Sequence, residues 1–354
     1  MAPVRVLVVG LGNMGRSHAL AHHLNPGSQI VGLVNRSTPA LPEELQAYPQ
    51  FHTMEEGLAL RPDLVVIATY ADSHAALAVR AMEAGAHIFV EKSLATTVAD
   101  AQRVADTAGR LNRKLVVGYI LRHHPSWQRL IAEARALGGP YVFRMNLNQQ
   151  SKGAEWEVHK ALMRSTSPLV DCGVHYVDVM CQVTDARPVR VYGIGLRMSD
   201  EIAPEMYNYG QLQVVFADGS VGWYEAGWGP MISETAFFVK DIISPNGSVS
   251  IVDADKGASS DIDGHTRVGG ILLHKSTGDR RIELADEPGH QGLCDLEQAY
   301  VLRAIAEDID LSRHVADAVQ SLRICLAADE SIRSGKVAHL TGDGTDTPAR
   351  TGDL

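Results

Sequence analysis

In the first third of the chain, hydrophobic residues form short unbroken runs; further on they alternate with polar ones. Val4–Val9 (VRVLVV) is almost wholly β-branched and aliphatic, the pattern of a strand covered on both faces. A glycine-rich turn follows, then a helical stretch, Ser17–Leu24, stopped by Pro26 and Gly27, and a second strand, Gln29–Val34. The theme repeats: strand Asp63–Thr69, helix Ser73–Ala84 ended by Gly85, strand His87–Val90, helix Val98–Leu111, strand Lys114–Gly118. Strands alternating with helices of about a dozen residues predict right-handed βαβ units and a parallel sheet.

The period changes near Tyr141. Alternation marks Tyr141–Asn148, Val189–Leu196, Gly210–Phe216, Ser220–Ala226, Thr235–Ile243, Ser248–Val252 and Ile271–His274 as strands. Asp218-Gly219 and Asn246-Gly247 are hairpin turns by type. These strands predict a large, mostly antiparallel open sheet, with helices at Pro168–Gln182, Asp295–Ile309 and Ala316–Ser334. The expected fold class is α/β: an N-terminal parallel sheet over residues 1–122, an α+β domain over 123–340, and a flexible tail over 341–354.

Charge narrows the partners. A net charge of −10 repels phosphate backbones, so no nucleic-acid partner is expected. No apolar run reaches the roughly 20 residues of a bilayer span, and the start leads straight into a strand; no membrane association and a cytoplasmic location are expected. Cys172, Cys181, Cys294 and Cys325 form no C-x-x-C pair, and no metal site is expected.

The glycine-rich turn carries the first chemistry. Gly10-Leu11-Gly12-Asn13-Met14-Gly15 follows a buried strand and opens a helix, the context in which G-x-G-x-x-G binds a dinucleotide in a Rossmann domain. Gly10 permits the turn, Gly12 lets backbone approach a pyrophosphate, and Gly15 lets helix and strand pack. The end of the second strand reads Asn35-Arg36-Ser37, without the carboxylate that would accept bonds from a ribose 2′-hydroxyl. A guanidinium there favours the 2′-phosphate of NADP. Arg36 stacked on adenine would serve NAD equally, so NADP is the preferred expectation and NAD stays open.

Together with Ala68-Thr69 and His74, Glu91-Lys92 after a strand, Gly118-Tyr119 with Arg122 and Pro125, and Asp171-Cys172-Gly173-Val174-His175, this start resembles one family. It is that of glucose-fructose oxidoreductase, inositol dehydrogenase and MocA-type dehydrogenases. The resemblance implies hydride transfer between nicotinamide and a hydroxyl- or ketone-bearing carbon of a sugar, cyclitol or related polyol. It implies a cofactor site that includes Thr69, His74, Glu91, Lys92 and Trp156, and a homodimer or homotetramer formed through the antiparallel sheet. Ser93 departs from the proline that usually follows Glu-Lys.

The residues themselves suit this chemistry. Oxidising a secondary alcohol needs a base for the hydroxyl proton. His175 titrates nearest neutrality, and Lys92 at a strand end can hold a developing alkoxide. On one helix, Asp171, His175 and Asp178 share a face as i, i+4 and i+7, so one carboxylate can orient the imidazole or hold a substrate hydroxyl; the family resemblance implies Asp171 in that role, with Asp178 as support. Arg122 and His124 either contact substrate or pack between domains, and Trp156, in a loop before the catalytic helix, approaches the nicotinamide or is a core or lid residue. Two other classes remain: an NAD-recycling glycosidase or lyase on the same scaffold, and a non-catalytic nicotinamide sensor.

Overall fold

The computed structural model describes residues 2–233, 239–252, 268–284 and 287–340. The chain divides into two compact units, Met1–His123 with Pro288–Val319, and His124–Glu287 with Gln320–Leu354.

The first unit opens with β1 (Val4–Val9), α1 (Asn13–Leu24), β2 (Ser28–Val34), β3 (Gln50–Phe51) and α2 (Met54–Leu58). It continues through β4 (Leu64–Ile67), α3 (Ala71–Glu83), β5 (His87–Glu91), α4 (Val98–Leu111) and β6 (Leu115–Gly118). Its six strands are all parallel, in the order β3-β2-β1-β4-β5-β6. The unbroken apolar runs are explained by burial: Val6, Leu7 and Val8 of β1 and all four residues of β4 are fully inaccessible. Helix starts are set locally. Thr97 accepts from the Asp100 amide at the head of α4, and Thr53 forms a reciprocal capping box with Glu56 at α2.

The second unit begins with α5 (Pro125–Leu137), β7 (Val142–Gln150), α6 (Ala154–Leu162), α7 (Pro168–Asp171) and α8 (Gly173–Thr184). Then come β8 (Pro188–Leu196), β9 (Tyr209–Phe216), β10 (Val221–Gly229), β11 (Lys240–Ser244), β12 (Gly247–Val252), β13 (Gly270–Lys275) and β14 (Gly278–Glu283). The chain returns to the first unit as α9 (His290–Ala306); α10 (Ser312–Ser334) begins in the first unit and ends in the second, before β15 (Ala338–His339). The sheet order is β14-β13-β12-β11-β7-β10-β9-β8-β15. Every pairing is antiparallel except β7 with β10.

Register sorts this sheet into two faces. Phe143, Met145, Tyr224, Ala226, Leu212, Val214 and Val191 are buried, toward the side where α7 and α8 pack on β9 and β10. The rows Val142-Val221-Val215 and Arg144-Trp223-Gln213-Tyr192 lie on the other face, and along β8 Tyr192, Ile194 and Leu196 are 39, 46 and 58% exposed.

Several expectations need correction. The helix predicted over Asp295–Ile309 belongs to the first unit as α9, because Val301 and Leu302 join the core of Val6, Ile30 and Leu64. The continuous helix expected over Pro168–Gln182 is interrupted at Cys172, where the His175 amide bonds the Cys172 carbonyl instead of that of Asp171. A Cβ at Gly173 would stand 3.1 Å from the Tyr224 ring, so the interruption brings backbone directly onto β10. The helices α5 and α6 and the strand β14 were not anticipated. The tail over 341–354 and the first part of the strand expected at 235–243 lie outside the described residues.

Candidate active site

In the first unit the glycine turn is built as its spacing requires. Gly10 has φ +91°, and a Cβ there would lie 2.5 Å from the Ala68 carbonyl oxygen. At Gly15 a Cβ would fall 1.8 Å from the Gly10 oxygen, so helix and turn touch backbone to backbone. Gly12 differs: a Cβ would meet nothing within 4 Å. It is the N-cap of α1, with no side-chain cap and no acidic residue in the first turn. Gly12 and Asn13 are exposed. Helix-start N–H groups facing open space suit an anion, and the turn fits a dinucleotide's pyrophosphate.

The neighbouring residues show how the turn is held. Asn35 Oδ1 accepts from the Leu11 amide at 3.1 Å, and its Nδ2 donates to the Ser37 carbonyl at 2.7 Å. Expected as a cofactor contact, Asn35 thus spends its side chain bracing the glycine turn. Arg36 and Ser37 are exposed beside it, and Met14 is half-buried. Arg16, which the motif did not single out, donates to the Ala40 carbonyl and to Asn13 Oδ1, laying a second guanidinium over the segment after β2.

At the end of β5, Glu91 is buried and Lys92 half-buried. The Lys92–Ser93 peptide is cis although no proline follows. His74 on α3 is inaccessible, its Nδ1 2.7 Å from the Ser93 carbonyl and its Nε2 3.0 Å from that of Thr69. Burial holds its pKa below the ordinary histidine value, so the ring is neutral. His74, expected as a cofactor contact, lies against the backbone of the turn that follows Lys92. Thr69 is half-buried, its hydroxyl 2.6 Å from that of Ser73. Arg122 pairs with Asp317 at 3.0 Å, both largely buried.

In the second unit, Asp171 ends α7 and is buried, and Asp178 on α8 is inaccessible and accepts from Gln182 at 2.9 Å. From Thr166 to Cys181 every residue is buried except His175. The one imidazole of this segment is therefore also its one accessible side chain. Cys172 Sγ lies 3.7 Å from Asp171 Oδ2 and 3.6 Å from Gln149 Oε1, which also accepts from the Trp228 indole at 2.9 Å. His159 stacks on Trp228, centroids 4.3 Å apart and planes 8° apart. Gln149, His159 and Trp228 were not singled out beforehand; Gln149 and Trp228 stand at strand ends and His159 lies within α6.

Two more expectations change here. Trp156 sits on α6 rather than in a loop, and its indole donates to Glu201 at 3.1 Å. His124 is buried as the N-cap of α5, accepting from the Ser126 amide, with Nε2 3.9 Å from Glu287. In the structure it acts as a capping residue.

Comparison with known proteins agrees with this construction. Residues 4–119 match the model of an oxidoreductase family with an NAD-binding Rossmann fold, and residues 128–235 match the GFO/IDH/MocA C-terminal domain. The chain belongs to the Gfo/Idh/MocA oxidoreductase family. It is 26% identical over 201 residues to the UDP-N-acetylglucosamine 3-dehydrogenase of Acidithiobacillus ferrooxidans, covering 55% of this chain and 59% of that relative. To the scyllo-inositol 2-dehydrogenase (NAD(+)) of Bacillus subtilis it is 26% identical over 290 residues, 73% of this chain and 79% of the other. Among solved structures, an oxidoreductase domain protein from Kribbella flavida superposes with a TM-score of 0.78 at 22% identity, covering 96% and 100% of the two chains. No helix among the described residues is long and apolar enough to cross a membrane.

Proposed function

We propose that the protein is a nicotinamide-dependent dehydrogenase or reductase acting on a secondary alcohol or ketone of a sugar, cyclitol or related polyol, with NADP preferred over NAD. The observation that carries the reading is His175, the one accessible residue in an otherwise buried segment, four positions after a buried Asp171. The inositol and UDP-N-acetylglucosamine dehydrogenases named among its relatives support the substrate class.

A bound nicotinamide supplies the hydride acceptor or donor. The chain supplies the rest. Lys92 steadies the reacting oxygen, His175 takes or returns its proton, and Asp171 orients the imidazole or a substrate hydroxyl. The Gly10–Gly15 turn holds the pyrophosphate. The exposed guanidinium of Arg36, with no carboxylate at the end of β2, supports recognition of a 2′-phosphate. The exposed row of Tyr192, Ile194 and Leu196 on the open face of the second unit's sheet supports a homodimer or homotetramer built through it.

Fluorescence titration of the purified protein with NADPH and NADH, then a polyol and cyclitol screen with the preferred cofactor, tests the reading. Tighter NADPH binding, lost in Arg36→Ala while NADH binding persists, is expected. Equal binding of both would remove the NADP preference. Binding of neither at micromolar concentration would remove the function.

A further inference from the structure

Glu297 of α9 is completely buried, and neither of its carboxyl oxygens has a hydrogen-bond partner among the described residues. Its carboxyl faces Glu91 of β5 and His18 of α1: one ligand-type atom from each lies within 4.8 Å of the others. All three belong to the first unit.

The hydrogen bonds around this group accommodate one consistent placement of protons. Burial pushes His22 down to about 4, so it is neutral at neutral pH. With the Ser28 hydroxyl, 3.2 Å from His22 Nδ1, donating to that nitrogen, His22 Nε2 donates to Gln298 Oε1 at 2.9 Å, and Gln298 Nε2 donates to His18 Nδ1 at 3.0 Å. The proton of His18 then sits on Nε2, which donates to Glu91 Oε1 at 2.7 Å. Glu91 Oε2 accepts from the Lys92 amide at 3.1 Å. Glu91, furnished with N–H donors, is the ionised carboxylate. A second bare carboxylate beside it would bear both desolvation and like-charge repulsion.

The structure assigns to Glu297 the role of a positioning residue: a neutral carboxylic acid that presents its proton to Glu91 and so fixes the turn that carries Lys92. This rests on Lys92 being the residue that holds the reacting oxygen. Burial and the Glu91 charge both favour the protonated acid. The room for Glu91 is made at Gly118, where a Cβ would stand 3.2 Å from the Glu91 carboxyl. The other titratable groups about the pair are His18 and His22 on α1, His74 on α3, Lys92, and Cys294 and Asp295 on α9. Cys294 is kept protonated by burial and its acidic neighbours.

A divalent ion fits the same three residues less well. It would take a bare His18 Nε2 and so replace the bond between that nitrogen and Glu91. Ligand atoms around a tetrahedral ion with bonds of about 2.0–2.2 Å also stand well over 2.7 Å apart.

Infrared difference spectra of wild type against Glu297→Gln, with metal content and kinetics on the same preparations, test the assignment. A protonated-carboxyl C=O band at neutral pH, lost in Glu297→Gln, is expected. The glutamine keeps a donor toward Glu91 without ionising, so it sustains turnover at neutral pH and moves the alkaline limb of the kcat profile upward. Glu297→Leu, which lacks the donor, lowers kcat about tenfold with little change in cofactor KM. No carboxyl band in the wild type, or one divalent ion per chain that Glu297→Gln loses, overturns the assignment. Identical pH profiles for wild type and Glu297→Gln overturn the positioning role. Lys92→Met reports separately: if it retains turnover, the catalytic reading fails while the band still decides where the proton is.

Discussion

His74 Nδ1 stands 2.7 Å from the carbonyl oxygen of Ser93, so a buried side chain of α3 grips the residue directly after Lys92. The same ring reaches the Thr69 carbonyl at 3.0 Å. One imidazole thereby ties together the turns after β4 and β5. The neutral ring has a single N–H, so its replacement by alanine leaves one of the two buried carbonyls short of a donor, and a loss of about 2 kcal/mol in stability is expected. Denaturant unfolding measures that loss, and kcat should fall with it. His74→Asn, which still donates, should recover part of both.

Gly12 and Gly15 give a paired test of the cofactor turn. Alanine at Gly15 must displace the Gly10 carbonyl, so Gly15→Ala should unfold at markedly lower temperature. Alanine at Gly12 meets no protein atom within 4 Å, and its stability should stay within about 0.5 kcal/mol of wild type. Its methyl would occupy the space offered to the pyrophosphate, so dinucleotide affinity should fall at least about tenfold. Calorimetric melting and fluorescence titration separate the two effects.

Acid should destabilise the first unit. His22 and His123 are both lowered from 6.5 to about 4, chiefly by burial, and His74 and His314 are lowered by the same cause. The unfolded chain takes up protons first as pH drops. Stability from these rings is therefore complete above about pH 6.5 and falls as pH approaches 4, by about 3 kcal/mol for each of His22 and His123. Unfolding free energies across pH 7.5 to about 4.5 check this. Replacing His123 by Phe should flatten part of the slope.

The open sheet face predicts self-association. Tyr192, Ile194 and Leu196 project along β8 beside the Arg144-Trp223-Gln213 row. Sedimentation velocity should give a dimer or tetramer. A charge at the centre of the stripe, Ile194→Lys, should shift it toward monomer while leaving NADPH binding in place. A monomeric wild type would remove the proposal.

The parallel sheet was readable because its strands are buried on both sides, and nothing but aliphatic runs survives there. The glycine turn was readable because Gly10 and Gly15 each answer a separate steric need of the protein, while Gly12 leaves its space open. The helix α5 was missed although Trp127, Leu130, Ile131, Ala134 and Leu137 recur at helical spacing. Its cap is His124, a residue type that does not announce a helix start. Arg122, His124 and His74 were given ligand roles because their chemistry permits them. Their actual partners, Asp317, Glu287 and the Ser93 carbonyl, are distant in sequence or invisible as side chains. Glu297 is the extreme case: one acidic residue in a helix, whose meaning depends on His18 and Glu91 some two hundred residues or more before it.

The return of α9 to the first unit bears on how the protein is made. A ribosome completes β1 to β6 long before it reaches Pro288–Val319. Until then His18 and His22 lack Gln298, and the core of Val6, Ile30 and Leu64 lacks Val301 and Leu302. The nascent nucleotide-binding layer must wait with an open seam while the entire second sheet is synthesised. A message truncated after residue 287 should therefore yield not a small stable dinucleotide-binding protein but a client for chaperones.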